Sequence, residues 1–138
     1  MAAHRFTISF ESKGNADIVN ITSRVQEGVA SQPIEEGVAT VFVPGATGAL
    51  TTIEDEPGMI QDLKDLFENL APEKGNYKHD SNSPTGNAHS HVRASLMGPS
   101  LAVPFSGKRL TLGQWQEIAF IDLYNRPRSR ELIVQVVG

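Results

Sequence analysis

The sequence contains no cysteine, which excludes disulfide bonds and thiolate ligands, so any bound metal is held by nitrogen and oxygen atoms. It has no apolar run approaching the roughly 20 residues that span a bilayer, and its first residues form no apolar signal-peptide core. Basic residues are not in excess: the formal net charge is −4, which argues against nucleic acids and anionic membranes as partners. We therefore expect a cytoplasmic protein that binds neither.

What the chain does have is the size and composition of one folded unit. Its 138 residues, of which 39% are hydrophobic and 20% charged, are ordinary for a single globular domain. No repeat, linker or low-complexity tract divides it. We therefore predict one domain over residues 1–138.

Two segments are predicted to be helices. Apolar residues recur at helical spacing from Met59 to Leu70, with Pro57 at the expected start and Pro72 just beyond the end. A second, shorter helix is expected soon after Ile21, where serine and threonine can cap it.

Short segments with β-branched or alternating apolar residues fill much of the remainder. The predicted strands are residues 6–10, 17–21, 37–43, 49–54, 89–96, 100–105, 109–112, 117–124 and 131–137. Many short strands with two helices predict a mostly β chain of the α+β class, built as an antiparallel β-sandwich or barrel with helical additions. Residues 73–87 are polar and are predicted to form a long loop, a kind of segment that is often functional.

Three of the four histidines lie close together in sequence: His79, His89 and His91. If residues 89–96 form a strand, one face carries His89, His91, Arg93 and Ser95. The two imidazoles are then about 6–7 Å apart, which lets them bind one metal ion, whereas in a helix this pair would diverge. We predict a divalent-metal site formed by the three histidines, with zinc or another transition metal favoured and magnesium a weaker candidate.

Other polar residues are candidates for the same site. Glu54 is a candidate oxygen ligand or general base, although its acidic run is equally typical of a solvated surface. Asp80 is a candidate to orient the preceding histidine, or to stabilise a loop turn. Arg93 has the planar fork that binds phosphate or carboxylate, the alternative being an ion pair with an acidic neighbour. Neutral hydrogen bonds to a substrate are expected from Asn87 and Ser95.

Several motifs resemble the YjbQ-like family in their order and spacing. They are residues 76–80, residues 86–101 and Gly113–Gln116. The resemblance covers most of the chain and implies a jelly-roll-like antiparallel β-sandwich with two helices, assembled as a homotrimer. It also implies a cluster of acidic residues and histidines, with a divalent metal, at or near a subunit boundary. Some family members have weak thiamine-phosphate synthase activity.

One segment departs from the family pattern. Many members carry Pro-His-Thr-Thr where this chain has Pro44-Gly45-Ala46-Thr47. Many of them also lack a histidine at the position of His89. We therefore form the hypothesis that His89 supplies the imidazole that is missing at Gly45.

Two classes of function follow from these observations. Thiamine-phosphate synthesis joins a pyrimidinylmethyl diphosphate to a thiazole phosphate and expels pyrophosphate, and it needs a metal and cationic side chains. Hydrolysis of a small ester or phosphate would use the same groups at least as well. In both cases the expected partner is a small phosphorylated substrate. The alternative is a trimeric protein that binds a metal or small ligand without turnover.

Overall fold

The computed structural model describes residues 1–138 and contains eight strands and four helices. The strands are β1 (Ala3–Ser12), β2 (Asp17–Asn20), β3 (Glu36–Phe42), β4 (Gly48–Ile53), β5 (Ser100–Ser106), β6 (Arg109–Leu110), β7 (Glu117–Asp122) and β8 (Arg128–Val137). The helices are α1 (Thr22–Ala30), α2 (Pro57–Leu70), α3 (Lys78–Ser81) and α4 (Ala88–Met97).

The strands form two antiparallel sheets that share a core. The larger sheet has the order β1-β8-β3-β5-β6 and the smaller one the order β2-β7-β4. Alternate residues of each sheet, such as Leu132 and Val134 of β8 and Ile118 and Phe120 of β7, face one another in the main cluster of buried apolar side chains. Helix α1 contributes the buried valines of its inner face to the same cluster.

Helices α2 and α4 cover the other face of the smaller sheet. A second apolar cluster there joins Ala49 and Ile121 of the sheet to Phe67 of α2 and Ala94 of α4. Strand β7 is consequently buried on both faces, and α4 has a fixed position against β4 and β7. No helix of the structure is long and apolar enough to cross a membrane.

The predicted mostly β, α+β class with antiparallel strands is confirmed, but two finer predictions are wrong. The two sheets do not make a clear jelly roll, and there are four helices instead of two. The short α3 lies inside the segment predicted as a loop. Residues 89–96, predicted as a strand, belong to α4, whose buried face includes His89, Ser90 and Arg93. Because those side chains are polar, no apolar period marks the helix in the sequence.

Strand β8 lies between β1 and β3 in the larger sheet. It pairs with β1 along its whole length, from Ala3 opposite Val137 to Ser12 opposite Arg128. Both backbone hydrogen bonds between Ala2 and Gly138 continue this ladder, at 2.6 and 3.0 Å. The two ends of the described chain are therefore adjacent.

A buried ion pair links the two sheets. Arg130 of β8 donates from Nε and Nη2 to the two carboxylate oxygens of Asp122 at the end of β7, each at 2.8 Å. Its Nη2 also donates to the hydroxyl of Thr47, just before β4, at 3.0 Å. Asp122 has no exposed surface and Arg130 is 5% exposed. Because water cannot reach either residue, each charge depends on the other for its hydrogen bonds and its counter-charge.

Replacing Arg130 with methionine is expected to destabilise the fold by about 3–5 kcal/mol, because Asp122 then remains buried without a counter-charge. Arg128→Met, an exposed position two residues earlier in the same strand, is the matched control and should change stability little. Urea unfolding of both variants measures the difference, and equal stabilities would contradict the structural role of Arg130.

The start of α2 depends on the carboxylate of Glu56. It accepts hydrogen bonds from the backbone nitrogens of Gly58 at 2.8 Å and Met59 at 2.7 Å, and these lower the pKa of Glu56. Glu56→Ala should therefore lower the thermal midpoint near neutral pH. The difference from wild type should shrink as the pH falls through the lowered pKa, because the wild-type carboxylate is then protonated. Glu54→Ala, in the same acidic run, serves as the control in thermal scans across pH.

Candidate functional site

The structure brings together two of the predicted histidines. His79 of α3 and His91 of α4 have ring centroids 5.1 Å apart with their planes tilted by 42°. His79 is exposed and His91 half-buried, so the pair is open to solvent on one side. Nδ1 of His79 lies 3.3 Å from Oδ1 of Asp80, which leaves Nε2 of His79 free for a ligand or a proton.

Asp80 also fixes the position of α4 relative to α3. Its Oδ1 accepts a hydrogen bond from the backbone nitrogen of Ala88, at the start of α4, at 3.1 Å. One carboxylate therefore contacts both helices that carry the imidazoles. Next to it, the hydroxyl of Thr85 donates to Oδ1 of Asn87 at 2.7 Å, so this predicted substrate-binding side chain is buried within the loop.

The distance between the two rings suits binding to a single metal ion. A zinc–nitrogen bond is about 2.1 Å, so two imidazoles on one tetrahedral ion have ring centroids about 5 Å apart. The observed 5.1 Å between His79 and His91 agrees with that value. However, no group of three or more histidine, aspartate or glutamate side chains is placed to hold an ion. One chain thus contributes two imidazoles and not the predicted three.

His89 does not join the pair. Because residues 88–97 are helical, His89 and His91 diverge around α4, and the strand-based geometry predicted for them is wrong. His89 is 3% exposed and its Nδ1 has no hydrogen-bond partner. Burial, followed by the charge of Arg93, lowers the pKa of His89, so its imidazole remains neutral. A Cβ atom added at Gly45 would meet only Nη1 of Arg130 within 4 Å. That His89 supplies the imidazole missing at Gly45 stays a prediction.

Arg93 lies on the buried face of α4 instead of beside His91. Its Nε donates to the carbonyl of Ala71 and its Nη2 to Oε2 of Glu68, both at 2.9 Å. Its guanidinium also lies 5.8 Å from the ring centroid of Phe67. Arg93 therefore forms an ion pair with an acidic neighbour, the alternative that the sequence left open. These contacts attach α4 to the end of α2.

The two remaining candidates have different positions. Ser95 is exposed and lies four residues after His91 on α4, on the same face of the helix as His91. Glu54 follows β4, whose first residue Gly48 pairs with Asp122 at the opposite end of the smaller sheet. Six residues of strand, about 20 Å, separate those two ends. Glu54 instead lines a cleft beside the exposed ring of Trp115.

Contacts that the sequence does not predict hold the segment between α2 and α4 in place. The hydroxyl of Tyr77 donates to the carbonyl of Pro72 at 2.7 Å, and the pKa of Tyr77 is raised, first by burial. A Cβ atom on Gly75 would lie 2.7 Å from the same ring. The one sequence feature that points to these contacts is a tyrosine two residues after a glycine in an otherwise polar segment. These contacts fold the segment back on itself and bring His79 to α4.

Arg93→Met should destabilise the protein by about 1–3 kcal/mol, because the Ala71 carbonyl and the Glu68 carboxylate lose their donor. Ser95→Ala, an exposed position on the same helix, is expected to leave stability unchanged. Chemical denaturation of the two variants tests this. An Arg93 variant as stable as wild type would show that the guanidinium does not hold α4 to α2.

Comparison with other proteins gives a consistent result. The family model described as UPF0047 protein YjbQ-like matches residues 6–138. A UPF0047 protein of Archaeoglobus fulgidus is 34% identical over 130 residues, covering 94% of this chain and 98% of that protein. A UPF0047 protein of Mycobacterium tuberculosis is 35% identical over 122 residues, covering 88% of this chain and 92% of that protein.

Solved structures share the fold. An uncharacterised conserved protein of the same family from Clostridium acetobutylicum superposes with a TM-score of 0.87 at 30% identity, covering 96% of this chain and 99% of that one. A protein of unknown function from Sulfolobus solfataricus has a TM-score of 0.89 at 24% identity, with 99% of each chain covered, and supports the fold alone. With the family model matching nearly its whole length, the chain belongs to the YjbQ-like UPF0047 family.

Proposed function

We propose that this protein is a small metal-dependent enzyme that acts on a phosphorylated small molecule at the pair formed by His79 and His91. The observation that carries the proposal is the 5.1 Å separation of the two rings, which suits ligands of one ion. The protein has no thiolates to offer, so imidazoles are its best ligands for zinc, manganese or a similar divalent metal.

The residues around the pair have separate tasks in this proposal. Asp80 accepts a hydrogen bond from Nδ1 of His79, which fixes the ring and makes its Nε2 the better electron donor. Through the same oxygen it holds the start of α4, and therefore His91, at a set distance. The metal would supply Lewis-acid activation of a phosphate oxygen or a water molecule. His89 lies on the buried face of α4, where it supports the helix, and it is not one of the proposed ligands.

A third ligand has to come from outside the single chain, and we propose that a homotrimer supplies it. Glu54 is the strongest candidate, because it is exposed and forms no group of metal-ligating side chains with the imidazoles of its own chain. The exposed apolar residues Val92 and Leu96 share α4 with His91, and Leu70 is exposed on neighbouring α2. Such residues suit contact with another subunit.

The placement of Arg93 distinguishes between the candidate reactions. Thiamine-phosphate synthesis needs cationic side chains to stabilise the departing pyrophosphate. Arg93 is committed to Glu68 and Ala71, so α4 offers no free guanidinium for that purpose. Hydrolysis of a phosphate or ester by a metal-activated water requires fewer charged groups. We therefore favour hydrolysis and retain thiamine-phosphate synthesis as a minor activity.

Metal binding by chelator-treated protein provides the first test. Isothermal titration with Zn²⁺ or Mn²⁺ should give about one ion per chain for the wild type, because each chain has one imidazole pair. Binding should weaken by at least about 100-fold in His79→Ala/His91→Ala, whereas His4→Ala, on β1, should bind as tightly as the wild type. The metal-loaded protein is then assayed against phosphate esters and the thiamine-phosphate synthase substrates.

Two outcomes would contradict the proposal. Wild-type protein that takes up no ion, or a double variant that binds it equally well, would exclude the imidazole pair as the metal site. Tight binding at the pair without turnover of any of these substrates would favour the non-catalytic metal-binding protein. Glu54→Gln tests the trimer hypothesis. If Glu54 of another subunit is the third ligand, this variant should weaken metal binding in the trimer and leave metal binding by the monomer unchanged.

A further inference from the structure

Two exposed arginines are held against one aromatic ring at the junction of β7 and β8. The guanidinium carbon of Arg126 lies 5.9 Å from the ring centroid of Tyr124, and that of Arg128 lies 5.3 Å from it. At these distances each cation is attracted to the ring. One ring therefore contacts both cations.

Neither charge is balanced by an acidic side chain, although acidic residues outnumber basic ones by 16 to 12 in this chain. Three ion pairs form in the structure, and none includes Arg126 or Arg128. The next arginine along the strand, Arg130, shows the contrast, because Asp122 binds it through both oxygens. A bound anion would supply the counter-charge that both guanidiniums lack.

The backbone beneath the two arginines is fixed. The nitrogen of Tyr124 donates to Oδ1 of Asp122 at 3.0 Å, and its carbonyl accepts from the nitrogen of Asn15 at 2.7 Å. The side chain of Asn125 donates to the carbonyl of Thr85 at 3.3 Å. A site on this segment thus loses little backbone entropy when it binds a ligand.

We propose that Arg126 and Arg128 bind the phosphate or diphosphate group of a small molecule. The planar forks of two guanidiniums match the oxygens of a phosphate, and each can donate two parallel hydrogen bonds. Through Asn125 the segment adjoins Thr85, in the connection between the helices that carry His79 and His91. That the anchored molecule is the substrate of the histidine pair rests on the proposed function, whereas anion binding itself does not.

The test uses inorganic phosphate and pyrophosphate, with metal-free protein at low ionic strength. Amide NMR shifts of residues 123–126 and 128–129 should saturate with either anion in the wild type. Arg126→Gln/Arg128→Gln should weaken binding by about 10-fold or more, because charge-assisted hydrogen bonds are lost. The control Arg5→Gln/Arg109→Gln changes the net charge equally at two exposed arginines elsewhere, and should bind as the wild type does.

The outcomes separate this site from the histidine pair. Saturable binding that is lost in the Arg126/Arg128 variant but kept in His79→Ala/His91→Ala supports the anion site, even if no metal binds. Absence of saturation in the wild type overturns the proposal. Equal weakening by both arginine double variants also overturns it, because the effect would then come from overall charge.

Discussion

The buried contact between Asp122 and Arg130 is the interaction on which the rest of the structure depends. It joins the end of β7, in the smaller sheet, to the third residue of β8, in the larger sheet. A hydrogen bond from Arg130 to Thr47 also holds the residue just before β4. An ion pair without access to water has an orientation set by its hydrogen bonds, so it determines how the two sheets lie against each other. The connection from β7 to β8 is short and passes directly over this pair, which places Tyr124 and its arginines at one defined position.

Charged side chains also hold the helices together on the outer face of the smaller sheet. Asp80 holds the start of α4, and Arg93 ties the same helix to the end of α2. The segment between α2 and α4 therefore has defined contacts at both ends and in its middle, despite its polar composition. Buried polar side chains such as Arg93 and Arg130 position other elements, whereas the imidazole pair and the exposed Arg126 and Arg128 are available to a ligand.

The sequence predicted the elements whose pattern is apolar and could not predict those that depend on tertiary contact. Helix α2 and strands β3, β4, β5 and β7 were found because their apolar residues follow the period of each element. The sequence of helix α4 predicts a strand instead, because its buried face carries the polar residues His89 and Arg93 and so shows no apolar helical period. The approach of His79 to His91 results from the folding of the intervening segment, which leaves no periodic signal.

The central position of β8 in the larger sheet has a consequence for the order of folding. Strands β1 and β3 are made early, yet β1 finds its neighbour, and β3 the second of its two neighbours, only when residues 128–137 have been synthesised. Until then both strands expose unpaired edges, and the ion pair between the sheets lacks its arginine. Pairing over so long a stretch of sequence raises the contact order and slows folding. A nascent chain that stalls before β8 would therefore need protection from association through those open edges.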